Sequence, residues 1–197
     1  MSSVGWDLVH HALRRRPAAR LDVAAATRAA VAVVFRDART GLELLFMRRA
    51  ELEDDPWSGH ISFPGGRAEP GEELLATAIR ETAEETEIDL GRHAEMLGAL
   101  DEIQAMARGR PVDLTIAPFV FRLRRAQDGT PNEEVVSLHW LPLERLLAPE
   151  CRSTMELSRK QSTLRVPCLR IDDLVIWGLT LRMFENLREL VEAARHG

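Results

Sequence analysis

GRAEPGEELLATAIRETAEETEI, residues 66–88, joins a glycine-rich turn to a run of strong helix formers, and the rest of the chain is arranged around it. Pro64-Gly65-Gly66 makes the first turn and Pro70-Gly71 a second, after which a helix is predicted from about Glu72. At roughly 100° per residue, Glu81, Glu84 and Glu85 stand at i, i+3 and i+4 and project from one side of that helix. Leu75, Ile79, Thr82, Ala83 and Thr86 fall on the other side, the face predicted to be buried. Like charges this close raise one another's protonation cost, and each like pair weakens an isolated helix by about 0.2–0.5 kcal/mol. Arg80, four residues before Glu84, offsets part of that. A hard divalent cation with a preference for oxygen ligands would offset the rest. The bland alternative is a solvated, salt-bridged surface helix. A glycine turn leading at once into clustered carboxylates points instead to a site for a metal and a phosphate chain.

These residues resemble a Nudix box, whose pattern falls here on Gly66, Glu72, Arg80, Glu81, Thr82, Glu84, Glu85, Glu87 and Ile88. Every charged position matches. Thr82 stands where an apolar residue is usual, and Glu87 where a helix-ending glycine is usual. A left-handed cap there would cost a non-glycine residue about 1 kcal/mol. The resemblance implies an α/β/α sandwich around a mixed central sheet, and a hydrolase that cleaves the diphosphate linkage of a nucleoside diphosphate derivative. It implies Mg²⁺ or Mn²⁺ held by Glu81, Glu84 and Glu85 with the Gly66 carbonyl, and Arg80 orienting the glutamates with Glu72 as its partner. The general base is left between Glu84 and a carboxylate from another loop, for which Glu134 is preferred to Glu133.

Outward from this stretch, Ala29–Phe35 reads as a buried strand, Asp37–Gly41 as a turn and Leu42–Arg48 as a second strand, together a hairpin. Glu51–Pro56 is an acidic loop, and Ile61 and Phe63 sit on a short strand feeding the glycine turn. Further on, the pattern predicts strands at Glu95–Leu100, Val112–Leu123 and Glu134–Leu141, with a polar loop over Gln104–Pro111. Pro118 marks an edge or a bulge. A short helix follows at 142–147, then a hairpin over Leu164–Trp177 turning at Asp172-Asp173. The chain ends in a core-facing helix over Leu179–Ala194. Val4–Arg16 is an amphipathic helix closed by Pro17, so residues 1–24 are assigned to an N-terminal helical extension and 25–197 to the catalytic domain.

Composition excludes other classes. The chain has 197 residues, 29% charged and 45% hydrophobic, with a net charge of −5, which speaks against nucleic acid as a partner. No apolar run reaches the roughly 18 residues that span a bilayer, and the first residues lack the order of a signal peptide, so a cytoplasmic protein without membrane contact is expected. Cys151 and Cys168 have no metal-site or redox-motif spacing and are read as free thiols. A monomer or a homodimer is expected.

Two flanks resemble the coenzyme A pyrophosphatase group: residues 44–66, LLFMRRAELEDDPWSGHISFPGG, and Ile176-Trp177-Gly178-Leu179-Thr180. They imply coenzyme A or its thioesters as substrate, cleaved to 3′,5′-ADP and 4′-phosphopantetheine. Asp55, where that group has arginine, departs from the pattern and disfavours the 3′-phosphate. Arg48, Arg49, Trp57, His60 and Arg67 are the candidate substrate contacts, whereas Trp177 is read as core. The alternatives are a Nudix pyrophosphatase for ADP-ribose, dinucleotides or nucleoside triphosphates, and an inactive nucleotide-binding module.

Overall fold

The computed structural model describes residues 4–22, 27–51, 58–107, 110–159 and 162–196. In chain order these form α1 (Trp6–Arg14), β1 (Thr27–Ala38), β2 (Gly41–Arg49), β3 (Ile61–Ser62), β4 (Gly65–Arg67), α2 (Leu74–Thr86) and α3 (Leu90–His93). Then come β5 (Ala94–Ala99), β6 (Ile103–Ala107), β7 (Arg110–Leu123), β8 (Val135–Pro142) and α4 (Leu143–Leu147). The last elements are β9 (Arg152–Arg159), β10 (Ser162–Ile171), β11 (Leu174–Trp177) and α5 (Gly178–Arg195).

β1 and β2 form the expected hairpin, but they stay paired only from Ala38↔Gly41 to Phe35↔Leu44. Beyond that they part, and the segment carrying the glycine turn enters the opening. β3 pairs with Met47 and Arg48 of β2, and β4 pairs antiparallel with Ala29–Val31 of β1. The Pro64 carbonyl accepts the Ala32 N–H at 2.8 Å between them, so the opening carries hydrogen bonds to β1 as well. Phe63 anchors the segment from below, stacked on Phe46 with ring centroids 4.7 Å apart.

On its other side β1 runs parallel to β7, from Thr27↔Leu114 to Phe35↔Arg122. With β5 and β6 antiparallel to β7 and β8 antiparallel to β2, the central sheet is mixed. Alternation splits the sheet residues between two cores. Ala30, Ala32, Val34 and Phe121 pack against Ala78 of α2 and Leu90 of α3. Val33, Phe35 and Val120 face the larger core under α1 and α5, shared with Leu169, Ile171 and Ile176 of the three-stranded sheet β9-β10-β11. This is the α/β/α sandwich expected.

Three expectations change. The polar loop over Gln104–Pro111 is a hairpin, because Ile103 and Ala105 bury one side of β6 beside β7. Pro118 is interior, not at an edge: its carbonyl accepts the Leu100 N–H, so its missing donor faces the gap between β5 and β6, where no ladder bond is lost. β9 was not anticipated, since its sequence lacks a β-branched apolar run. It exists because β10 supplies a partner from Ser162↔Arg159 to Leu169↔Arg152. Among the described residues no helix is long and apolar enough to cross a membrane.

Candidate active site

Gly65 and Gly66 build the site by leaving room. Gly65 has φ +148, and a Cβ there would fall 2.3 Å from the Ala30 carbonyl oxygen and 2.5 Å from Val31 Cα. At Gly66 a Cβ would fall 2.4 Å from the carboxyl carbon of Glu81. The strand is therefore pressed between β1 and the carboxylates of α2, an approach that glycine alone permits. The Gly65 N–H donates to Glu85 Oε2 at 2.8 Å, tying the helix to the turn.

The buried face of α2 is rotated from the expected one. Thr77, Ala78, Thr82, Glu85 and Thr86 are buried, with Leu75, Ile79 and Ala83 only partly so. Thr82 and Thr86 pass their hydroxyl hydrogens to Ala78 and Thr82 carbonyls, which is how a hydroxyl is tolerated at the apolar position of the pattern. Glu81, Glu84 and Glu85 consequently do not share one environment. Glu85 is 3% exposed, whereas the Glu84 side chain is 54% exposed. Helix α2 ends in a left-handed cap at Glu87, φ 57, whose N–H donates to the Ala83 carbonyl.

Arg80 is the hub. Its guanidinium pairs bidentately with Glu72 at 2.8 and 2.9 Å, and reaches Glu81 at 2.9 Å, Glu84 at 3.1 Å and the Arg67 carbonyl at 3.3 Å. Its hydrogen bonds hold the Glu72 carboxyl down to about 2. The other carboxylates move the opposite way. Burial pushes Glu85 up to about 8 against the hydrogen bond from Gly65, with Glu81 and Glu134 adding repulsion and Arg49, 3.9 Å away, opposing it. Burial likewise raises Glu81, opposed by Arg80 and reinforced by Glu84 and Glu134.

A cavity of about 640 Å³ lies over β4 and β1, and Gly66, Glu81, Glu85, Glu134, Arg49, His60 and Arg67 all line it. Arg80 and Glu84 stand beside it without lining it. Arg48 is turned away and pairs with Asp173 at 3.2 Å. Trp57 and Asp55 lie outside the described residues. The far wall comes from the start of α5, in the flank that the coenzyme A resemblance singles out, although none of its residues is among the candidate substrate contacts. Trp177, expected in the core, is half-buried and lines the cavity, its ring edge-on to His60 at 4.6 Å. Leu174 and Ile176 take the core side of β11, which leaves Trp177 on the other side; strict alternation was the signal that would have found it.

Among the described residues, no three His, Cys, Asp or Glu side chains stand together as a metal would hold them; Arg80 engages Glu81 and Glu84, and the Gly65 N–H engages Glu85. The donor chemistry nonetheless fits a hard divalent cation. The groups are carboxylates, Glu81 and Glu85 are pushed toward protonation by burial first and by repulsion from neighbouring glutamates, and the Glu84 side chain is exposed.

Residues 26–160 match the NUDIX domain. An uncharacterized protein of Schizosaccharomyces pombe is 37% identical over 123 residues, covering 60% of this chain and 37% of its own length, so the chain spans little more than a third of that relative. The uncharacterized Nudix hydrolase NudL of Pectobacterium atrosepticum is 29% identical over 146 residues, 73% of this chain and 72% of the relative. Among solved structures, the NUDIX domain of Shewanella oneidensis NrtR complexed with ADP ribose is similar in fold, with a TM-score of 0.52 at 20% identity over 82% of this chain and 86% of that one.

Proposed function

The chain belongs to the Nudix family, and from that membership we propose that it cleaves the diphosphate linkage of a nucleoside diphosphate joined to a second group, using Mg²⁺ or Mn²⁺ at Glu81, Glu84 and Glu85. A Nudix pyrophosphohydrolase acts on a nucleotide-derived substrate through a metal-dependent mechanism. The observation that carries it is the glycine pair at β4, against which Glu81 and Glu85 close with Arg49, Arg67 and Glu134 lining the same cavity.

Glu81, Glu84 and Glu85 would hold a divalent cation, which would supply polarisation of a phosphoryl oxygen and a lowered pKa for an attacking water. Arg80 sets the rotamers of Glu81 and Glu84 while Glu72 holds Arg80 in turn. The Gly65 N–H fixes Glu85. Arg49 and Arg67 supply charge for the diphosphate. Glu134, on the loop before β8 and lining the cavity, would take a proton from the nucleophile, with Glu84 as the other candidate base.

ADP-ribose, dinucleotides and nucleoside triphosphates are the substrates the family-level likeness supports. Coenzyme A and its thioesters form the second reading. In its favour, the two flanks that resemble the coenzyme A group, over 100 residues apart in sequence, meet in this cavity through Phe63 and Gly65 on one side and Trp177, Leu179 and Thr180 on the other. The deciding experiment incubates purified protein with Mg²⁺ or Mn²⁺ and each of coenzyme A, ADP-ribose, dinucleotides and nucleoside triphosphates, with products resolved by chromatography. Cleavage of a diphosphate linkage in one or more is expected, and cleavage of none with either metal defeats the proposal.

A further inference from the structure

Helix α2 ends, like any helix, with carbonyl groups that have no partner inside it, and a segment more than 40 residues further on supplies donors for two of them. The Thr130 N–H donates to the Thr86 carbonyl at 2.8 Å and the Asn132 N–H to the Glu85 carbonyl at 3.2 Å. The entry to this segment is pinned as well. Arg36 donates to the Gln127 carbonyl at 2.9 Å and to the Asp128 carboxylate at 2.7 Å, and the Trp140 indole N–H donates to the Asp128 carbonyl at 3.0 Å. Gly129, at φ +79, lies so close to α2 that a Cβ there would fall 2.8 Å from the Thr86 carbonyl oxygen. Residues 127–132 are therefore docked on the helix that carries Glu81, Glu84 and Glu85.

The same segment then reaches Glu134. Asn132 Oδ1 accepts the Glu134 N–H at 2.9 Å, while the Glu134 carbonyl accepts the N–H of Ala50, the residue after Arg49, at 2.8 Å. Both peptide groups flanking Glu134 are thus held, which sets the direction of its Cα–Cβ bond. Glu134 is exposed, so these backbone bonds rather than packing aim it. It lines the cavity with Glu81 and Glu85, and its charge repels both. Asn132 is half-buried and does not line the cavity, so it acts on the site only through what it holds.

We infer that Asn132 is the positioning residue for Glu134: joined by its N–H to the Glu85 carbonyl and by its Oδ1 to the Glu134 N–H, it fixes the loop carboxylate relative to the glutamates of α2. The inference rests on the proposed cation site at Glu81, Glu84 and Glu85, and not on which diphosphate is cleaved.

The test is a double-mutant cycle on the full chain, with Mn²⁺ binding measured by calorimetry. Glu134→Gln removes a negative charge near the cation and lowers affinity by about threefold or more. Asn132→Ala lowers it by a similar factor, and the double variant binds no more weakly than Glu134→Gln alone. Asn132→Ser, whose hydroxyl accepts a backbone N–H in the same way but more weakly, recovers part of the loss. Turnover of whichever diphosphate is cleaved follows the same pattern, kcat falling by about tenfold in Asn132→Ala with KM little changed. Wild-type Mn²⁺ affinity in either single variant overturns the inference, as do losses that add in the double variant, or no Mn²⁺ binding from the start. Failure to cleave any diphosphate defeats the diphosphatase reading, while the Mn²⁺ cycle still decides the role of Asn132.

Discussion

Glu85 shows how a single residue departs from what its spacing suggests. Helical periodicity puts it with Glu81 and Glu84, yet it alone is buried, and burial raises its carboxyl from 4.5 to about 8. A raised folded-state pKa means that the folded protein holds the proton more tightly than the unfolded chain does. Its stabilisation is complete below pH 4.5 and is lost as pH rises through about 8. Metal-free protein should therefore lose stability across that window, and Glu85→Gln, which keeps an oxygen for the Gly65 N–H, should be more stable than wild type near pH 8 by on the order of 1–3 kcal/mol. Denaturant melts in chelator at pH 5 and pH 8 measure this; a difference that does not grow with pH contradicts the burial argument. In catalysis the same variant and Glu84→Gln are each expected to lower kcat by ~10²-fold or more, with the fold intact by circular dichroism. Near wild-type turnover in both would remove the glutamates from the site.

At the scale of elements, the turn and helix around the site depend on backbone geometry that two substitutions address. Glu87 sits at φ 57 in the cap of α2, so Glu87→Gly should raise stability by about 1 kcal/mol, read as an increase in Tm. A lower Tm would mean that the glutamate side chain contributes more than the strain costs. Gly66→Ala acts in the opposite direction. Its new methyl would meet the Glu81 carboxyl at 2.4 Å, which must swing away. The expected outcome is a folded protein whose apparent affinity for the activating metal falls at least tenfold, an amount typical of disturbing the support of a ligand. Activity titrated against Mg²⁺ or Mn²⁺ reads the shift, and an unchanged metal dependence would show that Glu81 does not need that position.

Across the whole molecule, Asp101 ties the N-terminal segment to the last helix. Its carboxylate accepts two hydrogen bonds from Arg16 at 2.6 Å, one from the Ala19 N–H and one from the Asn186 side chain. Arg16, above the other partners, holds its pKa below the usual 3.8. A depressed carboxyl gives stability that is present above its unfolded value and lost as pH falls through the folded one, the reverse of Glu85. Asp101→Asn should therefore cost about 1–3 kcal/mol near neutrality, with the gap to wild type closing below pH 3.8. A gap constant down to pH 2 would assign the loss to something other than the charge. The assignment of residues 1–24 to a separate extension remains a proposal, and these contacts give it a test. Removing residues 1–24 should lower Tm if the segment braces α5, and leave it unchanged if the two are independent.

The sequence determined what short-range rules govern. Helix period put Glu81, Glu84 and Glu85 within reach of one another and of Arg80, and the PGG turn and the alternating runs located the hairpin, the long strand and the closing helix. These follow from backbone geometry within a few residues. Tertiary structure decided which of the three glutamates is buried, because that depends on where β4 presses against α2. It decided that β1 and β2 part to admit residues 61–67, and that β6 and β9 become strands beside partners already in place. Burial and strand pairing are settled by neighbours distant in the chain, and no local pattern carries their positions.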